Sequence, residues 1–436
     1  MKSLKTNIFG IPFFWFLKTT SLLAFAGAVP HLPEYVDHIE GQILIEPQQD
    51  YLSAQLRYDY VAEEERTNKI QLFLEKKFKL LALNCPDLMD FEISRNHMFG
   101  DLYQMVTIYL KKPVKRGQTL PISLEYECRQ NFNHFKGQQL PRNWIEISPN
   151  TLEIVPRHVS LSKKITFDIA LDIESNYEVV SPAVVTWREG GWNIEASVPC
   201  LGFYAIVGKN LSREYFQNGI NRIELVSTNL EETVKEQMVE SIDRCLKFYN
   251  SAFAANAPKH FVKAGIRPYA KWDAQYACVN NYFVTYEEAQ KPYFEKQLHH
   301  FSNIAHEISH FWWNAADAGS FDNWLNESLA EYSAFLAIRN FYGEKIFNRF
   351  LKECRKDCKK NTAHSGPEKL DFKTLLYKKG PFLLYRLEKR MGREKFQILL
   401  KNLIQKKVKT TSQFGKELES LSGTKSAAKF EKRLRG

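Results

Sequence analysis

Residues Asn303–Tyr332, NIAHEISHFWWNAADAGSFDNWLNESLAEY, decide the fold of the second half of this chain. The segment contains the arrangement H-E-x-x-H at residues 306–310. In a helix His306 and His310 lie one turn apart on the same face, so both imidazoles can reach one zinc ion. Glu307 lies beside them and can accept and donate protons. The opposite face of this helix is apolar and is predicted to pack against a core. Its residues are Phe301, Ile304, Ala305, Ile308, Phe311 and Trp312.

A second helical pattern begins at W-L-N-E, residues 324–327, and sixteen residues separate His310 from Glu327. A catalytic zinc ion usually has three protein ligands and keeps a further position for water. Glu327 can complete such a set with the two histidines. The pattern therefore predicts one Zn²⁺ held by His306, His310 and Glu327.

The stretch resembles the gluzincin aminopeptidases, the family of alanyl aminopeptidase and leukotriene hydrolase, which carry HExxH followed by a W-x-N-E helix. The connector at residues 315–321 is shorter than in most members, which we interpret as a subfamily variation in a loop. The resemblance implies a zinc metallopeptidase that acts on peptide or protein substrates. It also implies a thermolysin-like, mainly α catalytic domain.

The first half of the chain has a different pattern. Between about residues 36 and 207 apolar and polar residues alternate, as at residues 52–60 and 165–173, which predicts β-strands. Beyond residue 218 the apolar period becomes helical. We therefore predict a multidomain α+β protein with an all-β domain at residues 29–215, saddle-like by resemblance, and a zinc peptidase domain at residues 216–436. The large C-terminal helical domain of many relatives is expected to be missing, which would leave a more open cleft.

The segment LLYKKG at residues 375–380 resembles the Y-x-K-G segment of the same family. The resemblance makes Tyr377 the hydrogen-bond donor to the oxyanion that forms as the scissile carbonyl becomes tetrahedral. Such donors stabilise charge that develops in the transition state. Glu307 is expected to take a proton from the zinc-activated water and pass it to the leaving amine.

The largest departure from the family lies at residues 276–286, YACVNNYFVTY, which are predicted to form an edge strand before the zinc helix. The family has G-x-M-E-N at this place, and alignment on the T-Y pair puts Val279 where the glutamate binds the free amino terminus of the substrate. A valine cannot pair with an ammonium group, although Glu287 or Glu146 could substitute.

Three functions remain open at this point. An aminopeptidase-type zinc peptidase leads because the set of His306, Glu307, His310, Glu327 and Tyr377 is unbroken. An endopeptidase, or a peptidase of altered selectivity, is the second because of Val279. A zinc-fold binding protein without turnover is the third.

Two further residues near the motif are weaker candidates. His299 lies on the same helical face as the two histidines but two turns earlier, which predicts a position at the rim of the site. Glu331 either accepts the free N–H of a zinc-bound histidine or is a solvated helix carboxylate.

Composition limits the partners. The net charge of +10 and the pI near 9.0 allow an acidic partner, but no nucleic-acid-binding motif accompanies the scattered lysines, so nucleic-acid binding is not predicted. Seven cysteines, an odd number, argue against a disulfide framework. Cys354 and Cys358 are interpreted as ordinary surface and not as a metal site.

The first 28 residues combine a basic start, an apolar run at residues 8–17 interrupted by Lys18, and the small residues Ala26-Gly27-Ala28. This favours a secretory signal and a periplasmic or secreted protein. The alternative is a buried N-terminal segment of a cytoplasmic protein. The run is a poor membrane span, and no other stretch is long enough to cross a bilayer.

Overall fold

The computed structural model of the chain describes residues 35–95, 102–129, 134–135, 138–139, 143–148, 152–160, 163–253, 258–268, 282–286, 294–365 and 372–435. The predicted signal segment at residues 1–28 lies outside these ranges, as do Val279 and Glu287, and the expectations about them stay predictions. Among the helices of these ranges, none combines the length and the hydropathy that crossing a bilayer requires.

The first half of the described chain is built from strands. They are β1 (Asp37–Glu46), β2 (Tyr51–Val61), β3 (Arg66–Glu75), β4 (Lys79–Asn84), β5 (Leu88–Arg95), β6 (Tyr103–Lys115), β7 (Thr119–Cys128), β8 (His134–Phe135), β9 (Gln138–Gln139), β10 (Trp144–Ile147), β11 (Arg157–His158), β12 (Ile165–Asp172), β13 (Glu178–Val180), β14 (Val184–Arg188), β15 (Gly191–Cys200) and β16 (Ala205–Gly208).

These strands form a seven-stranded sheet in the order β14-β15-β12-β1-β2-β7-β4, a four-stranded sheet β11-β3-β6-β5, a three-stranded sheet β10-β16-β13 and the small pair β8-β9. β1 and β12 run parallel, and the neighbours of β2 run antiparallel to it. One apolar core lies between the seven-stranded and four-stranded sheets, with contributions such as Ile43, Leu56 and Ile122 from the former and Leu72 and Ile108 from the latter.

Alternation of side chains along the strands explains this packing, because successive residues of a strand point to opposite faces. In β2 the predicted inward residues are all buried, whereas most of their polar neighbours are not. Strand β12 repeats the pattern. The predicted period-two pattern is thus confirmed, and it places the apolar residues of both strands in the core.

The second half begins with a mixed sheet, β17 (Ser212–Asn218), β18 (Asn221–Ser227), β19 (Phe261–Arg267) and β20 (Tyr282–Tyr286), in that order. β18, β19 and β20 are parallel, and helix α1 (Glu232–Phe253) connects β18 to β19. β20 lies at the edge of this sheet and corresponds to the last five residues of the edge strand predicted at residues 276–286. The boundary expected at residues 215 and 216 stays a prediction, and β17 runs across it.

Helices follow the mixed sheet. They are α2 (Phe294–Ser309), α3 (Trp324–Ser365), the short α4 (Phe372–Thr374), α5 (Gly380–Met391), α6 (Arg393–Gln405), α7 (Thr411–Ser422) and α8 (Thr424–Arg435), with a 3₁₀ turn at Phe321–Asn323 and a π-helical turn at Leu375–Lys379. α3 is interrupted at Gly343, whose φ of 84° glycine adopts readily. The predicted α+β architecture, strands first and mainly helices second, is confirmed.

Trp324 holds the end of the chain against the beginning of α3. The indole is fully buried, its Nε1 donates to Thr411 Oγ1 at 2.8 Å, and its ring packs against Phe414 and Phe430. Helices α7 and α8 are therefore part of the catalytic half's core. One expectation is wrong here: Cys354 is not at the surface but 1% exposed in that core, because its position on α3 faces inward.

A buried ion pair joins the first half to the mixed sheet. Arg267, at the end of β19, donates from Nε and Nη2 to the two carboxylate oxygens of Glu146 on β10, at 2.5 and 2.6 Å. Their side chains are only 4% and 3% exposed. Lys263 reaches across as well, donating to the carbonyl oxygen of Ser181 at 2.8 Å.

Replacement of one partner of this ion pair is expected to destabilise the protein. In Glu146→Gln the guanidinium of Arg267 stays buried without its counter-charge, which typically costs about 3–5 kcal/mol. Urea-induced unfolding followed by circular dichroism measures the loss. The double variant Glu146→Gln/Arg267→Gln should lose less than the sum of the single variants. A single-variant loss within about 0.5 kcal/mol, as for ordinary surface positions, would contradict the assignment.

Candidate active site

The two histidines lie where α2 ends. His306 is in its last turn, and His310 follows in the tight turn after it, with its backbone N–H donating to the carbonyl of Glu307 at 3.1 Å. Their Nε2 atoms are 3.2 Å apart. The predicted apolar face of the helix is buried, and Tyr249 of α1 donates to the carbonyl oxygen of Ala305 at 2.8 Å. The packing of the apolar face of α2 thus determines where the imidazoles on its opposite face lie.

Glu327 reaches the same point from the first turn of α3. Its Oε2 is 3.5 Å from His306 Nε2 and 3.7 Å from His310 Nε2. Three atoms about 2.0–2.1 Å from a tetrahedral zinc ion would be separated by about 3.3 Å. The distances in this protein are close to that value, so the three side chains fit a single zinc ion.

The short connector between the helices is organised by Asn326, the asparagine of W-L-N-E. Its Oδ1 accepts from the backbone N–H of Ala316 at 3.1 Å, and its Nδ2 donates to the carbonyl of the same residue at 2.9 Å. These two hydrogen bonds fix the connector to the start of α3 and so position the next residue, Glu327. The role of Asn326 was not predicted, and its position beside the glutamate in the motif was the available signal.

Hydrogen bonds at the far side of each ring orient the imidazoles. His306 Nδ1 is 2.9 Å from Glu331 Oε2, and His310 Nδ1 is 2.9 Å from the carbonyl oxygen of Trp313. A neutral imidazole that donates from Nδ1 presents its Nε2 lone pair to a metal. Of the two alternatives for Glu331, the geometry favours the acceptor. The bond to Trp313 was not predicted, because the acceptor is a backbone atom.

Glu307 is buried beside the histidines, with Oε1 3.8 Å from His306 Nε2. Burial raises the pKa of its carboxyl group well above the usual value, and the nearby Glu327 and Glu331 raise it further, although His306 opposes them. A carboxyl group with a raised pKa holds a proton more readily than an exposed carboxylate does. This is the behaviour that a group shuttling a proton requires.

The charges around Glu327 act in the opposite direction. Burial by itself raises the pKa of its carboxyl group, but His310, His306 and the hydroxyl of Tyr377 outweigh burial and lower the pKa to about 2. Glu327 is therefore ionised at neutral pH. An ionised carboxylate is the form that binds zinc.

Tyr377 lies in the π-helical turn between α4 and α5. Its hydroxyl donates to Glu327 Oε2 at 2.9 Å. Burial, together with the neighbouring Glu327, raises the pKa of the phenol, so the group stays protonated. Tyr377 is thus a neutral donor held at the edge of the predicted zinc site.

Gly380 allows this turn to approach α3. A Cβ at this position would lie 2.0 Å from Ser328 Oγ, the hydroxyl next to Glu327 in sequence. That hydroxyl donates to the carbonyl of Leu376 at 2.7 Å. The glycine of Y-x-K-G is therefore a requirement of packing that sets the distance between Tyr377 and Glu327.

The structure thus brings together five predicted site residues, His306, Glu307, His310, Glu327 and Tyr377, and places the weaker candidate Glu331 beside them. It does not bring in two others. His299 is exposed, and its ring packs at 6.0 Å from that of Phe350. Both carboxylate oxygens of Glu146 accept from Arg267, which speaks against Glu146 as a partner for a substrate's ammonium group.

The all-β first half, the mainly helical second half and the His-His-Glu cluster together define a two-domain zinc metallopeptidase. The family model described as "Peptidase family M1 domain" matches residues 277–431, a stretch that includes the H-E-x-x-H motif, Glu327 and Tyr377. Zinc metallopeptidases of this kind use one catalytic zinc ion, and the three side chains of the cluster fit one ion. The resemblance to the gluzincin aminopeptidases is thereby confirmed.

Solved structures share the fold. An M1 zinc metallopeptidase from Deinococcus radiodurans is 14% identical, with a TM-score of 0.65, over 92% of this chain and 93% of that chain. A mutant form bound to the substrate Tyr-Ser-Ala is 15% identical, with a TM-score of 0.64, over 92% and 94%. A two-domain M1 zinc metallopeptidase mutant bound to L-tryptophan is 16% identical, with a TM-score of 0.64, over the same shares. No curated protein matches the chain.

Removal of Glu327 is expected to remove most of the bound zinc. Glu327→Ala leaves two protein ligands, below the usual complement of a catalytic zinc ion. Elemental analysis of the purified protein measures the zinc content. Glu353→Ala, an exposed glutamate on the same helix, serves as the matched control and should retain one zinc per chain. Undiminished zinc in Glu327→Ala would remove Glu327 from the ligand set.

Proposed function

We propose that this zinc metallopeptidase is of the aminopeptidase type and that its preference for a free amino terminus is weakened. The observation that carries the proposal is the convergence of His306 Nε2, His310 Nε2 and Glu327 Oε2 beside Glu307 and Tyr377. Neighbouring structures are recorded with Tyr-Ser-Ala, L-tryptophan and L-arginine bound. Ligands with free amino groups support an aminopeptidase-type substrate.

The residues divide the reaction between them. Bound zinc would lower the pKa of a coordinated water to about 7 and polarise the scissile carbonyl. Glu307 takes the proton of the attacking water and delivers it to the leaving amine. Tyr377, kept neutral by burial, donates a hydrogen bond to the oxygen on which negative charge develops. Glu331 holds the ring of His306 in the orientation that its role needs.

A second candidate is an endopeptidase, and two observations favour it over strict amino-terminal cleavage. Alignment places Val279 where relatives have the glutamate for the substrate's ammonium group. Glu146, one possible substitute, is neutralised by Arg267 in the buried pair. Binding energy from other parts of a longer substrate would then position the scissile bond.

The third function, a zinc-fold binding protein without turnover, has less support. Loss of catalytic function usually leaves at least one member of a catalytic set free to change. Here the proton shuttle Glu307 and the donor Tyr377 are both present and both adjoin the cluster of ligands.

Substitution of Glu307 and Tyr377 tests the mechanism. Glu307→Gln is expected to keep its zinc and lower kcat by about 10²- to 10⁴-fold, because the amide cannot accept the proton. Tyr377→Phe is expected to lower kcat by about 10²- to 10³-fold with little change in KM, because its donor acts on charge in the transition state. Steady-state kinetics on a fluorogenic peptide, with zinc analysis as a control, measures both. A rise of KM alone in Tyr377→Phe would make the tyrosine a binding residue.

Comparison of a free peptide with its amino-terminally acetylated form tests the selectivity. With Val279 in place of a carboxylate we expect similar kcat/KM values for the two peptides, and low activity on simple aminoacyl chromogenic substrates. Val279→Glu should shift the ratio towards the free peptide, since an ion pair in a desolvated pocket discriminates strongly. A preference of the wild type above roughly a thousandfold for the free form, about 4 kcal/mol, would contradict the proposal.

A further inference from the structure

The positive charge of the chain is concentrated at its end. Residues 344–436 contain 26 Lys and Arg against 10 Asp and Glu, a net charge of +16, whereas residues 1–343 have a net charge of −6. The scatter of lysines along the sequence conceals this asymmetry. A charge of this size on one part of a protein attracts polyanions.

Four arginines of this segment come together on three helices, and we call their surface the arginine face. Arg355 belongs to α3 after the interruption at Gly343, Arg386 and Arg390 to α5, and Arg433 to α8. Arg386 and Arg390 are one turn apart on the same side of α5. Helix α5 packs directly against both α3 and α8, and Arg355, Arg386 and Arg390 are exposed while Arg433 is half-buried. Partial loss of hydration lowers the pKa of Arg386, and the positive charges of Arg433, Arg390 and Arg355 lower it further.

The packing of α8 on α5 holds the arginine face together. Lys379, just before α5, donates from Nζ to the carbonyl oxygen of Leu434 in the last turn of α8, at 3.1 Å. Leu434 and Phe430 are buried on the inner side of α8. The arginines are thus presented by helices whose positions the core determines.

The arginine face lacks counter-charges within the described part of the chain. Carboxylates on the same helices are engaged elsewhere: Glu388 accepts from Arg339 at 2.8 Å, and Glu431 from Arg435 at 3.0 Å. In the described ranges no carboxylate oxygen lies within 4 Å of a nitrogen of the four arginines, Glu353 and Asp357 of α3 included. Among the described residues the four guanidinium groups therefore lie near one another without a directly bonded carboxylate, and like charges so placed repel one another.

The basic surface extends along α8. Lys425, Lys429 and Lys432 are exposed and lie at spacings of four and three residues, which puts them on one side of the helix, next to Arg433. This side is turned away from the buried Phe430 and Leu434. The result is a broad basic surface on the outside of the helical half.

We propose that the arginine face binds the surface of a membrane that contains anionic phospholipid. Guanidinium groups form paired hydrogen bonds with phosphate oxygens. Each Lys or Arg near an anionic bilayer strengthens binding about fivefold. Guanidiniums from separate helices can each contact a different headgroup, which suits a planar array of phosphates.

Two observations favour a membrane over a nucleic acid. The aromatic side chains of α5 and α8, Phe382, Tyr385 and Phe430, are buried or half-buried, so stacked bases would find no platform there. The apolar run at residues 8–17 with its basic flanks independently predicts a targeting segment. A secretory signal brings a protein to a membrane, so anionic phospholipid is a polyanion that this protein is expected to meet.

Vesicle sedimentation with the full-length, zinc-loaded protein tests the inference. Vesicles of phosphatidylcholine mixed with phosphatidylserine should bind the protein, vesicles of phosphatidylcholine alone should bind it less, and added salt should weaken binding. The variant Arg386→Gln/Arg390→Gln/Arg433→Gln should bind the mixed vesicles about 100-fold less tightly. These arginines lie outside the catalytic site, so zinc content and peptide hydrolysis should remain at wild-type levels.

A matched control separates the arginine face from net charge. Lys395→Gln/Lys407→Gln/Lys416→Gln removes the same charge from three exposed lysines elsewhere in the segment and should bind nearly as the wild type does. Equal losses in both triple variants, an unchanged affinity in the arginine variant, or binding to double-stranded DNA without binding to vesicles would each overturn the proposal. Because binding is the readout, failure of the peptidase proposal would leave this test intact.

Discussion

The concentration of ionisable groups at the junction of α2 and α3 is the constraint on which the catalytic half depends. Glu307, Glu327 and Glu331 surround two imidazoles in a largely buried place. Carboxylates removed from water are costly unless a cation compensates them. The histidines alone compensate only in part, and a doubly charged zinc ion supplies what they lack. The ligand geometry and the electrostatics therefore lead to the same ion by independent arguments.

The surrounding helices keep these groups at fixed distances. Asn326 ties the connector to the start of α3, Ser328 ties α3 to the π-helical turn, and Gly380 lets the two approach. Trp324 then fastens the last two helices against the same turn of α3. Residues 324–328 consequently combine structural contacts with one predicted zinc ligand, Glu327. Small displacements here would change the separation between Tyr377 and Glu327, and this gives a physical reason for the many contacts of one short motif.

The two halves of the protein have different charge and different tasks. The strands bury a mainly apolar core and contribute Glu146 to the junction, where Arg267 neutralises it. The helical end carries a net positive charge that the first 343 residues offset only in part. A peptidase held by a basic face at an anionic surface would meet substrates in two dimensions. The proposed selectivity for longer peptides and the proposed attachment to a membrane would then act on the same substrates, those present at the membrane surface.

Short-range patterns were sufficient to predict the strands, the helix that carries H-E-x-x-H, and five side chains that the fold brings together. The reason is that period two, period 3.6 and the spacing of H-E-x-x-H are all properties of local backbone geometry. Such patterns could not predict contacts between segments that are distant in the sequence. The bond from His310 to the carbonyl of Trp313 involves a backbone atom, which every residue has. The pairing of Glu146 with Arg267 joins residues 121 positions apart.

The difference between local patterns and long-range contacts also explains why the burial of Cys354 and the arginine face were not predicted. Cys354 was expected at the surface because its neighbours in sequence are basic, but the packing of α3 places its side chain in the core. The lysines and arginines of residues 344–436 are dispersed in sequence, and no local motif marks Arg355, Arg386 and Arg433 as neighbours. Only the folding of α3, α5 and α8 against one another brings them to one face, because proximity between helices depends on which sides are apolar along the whole chain.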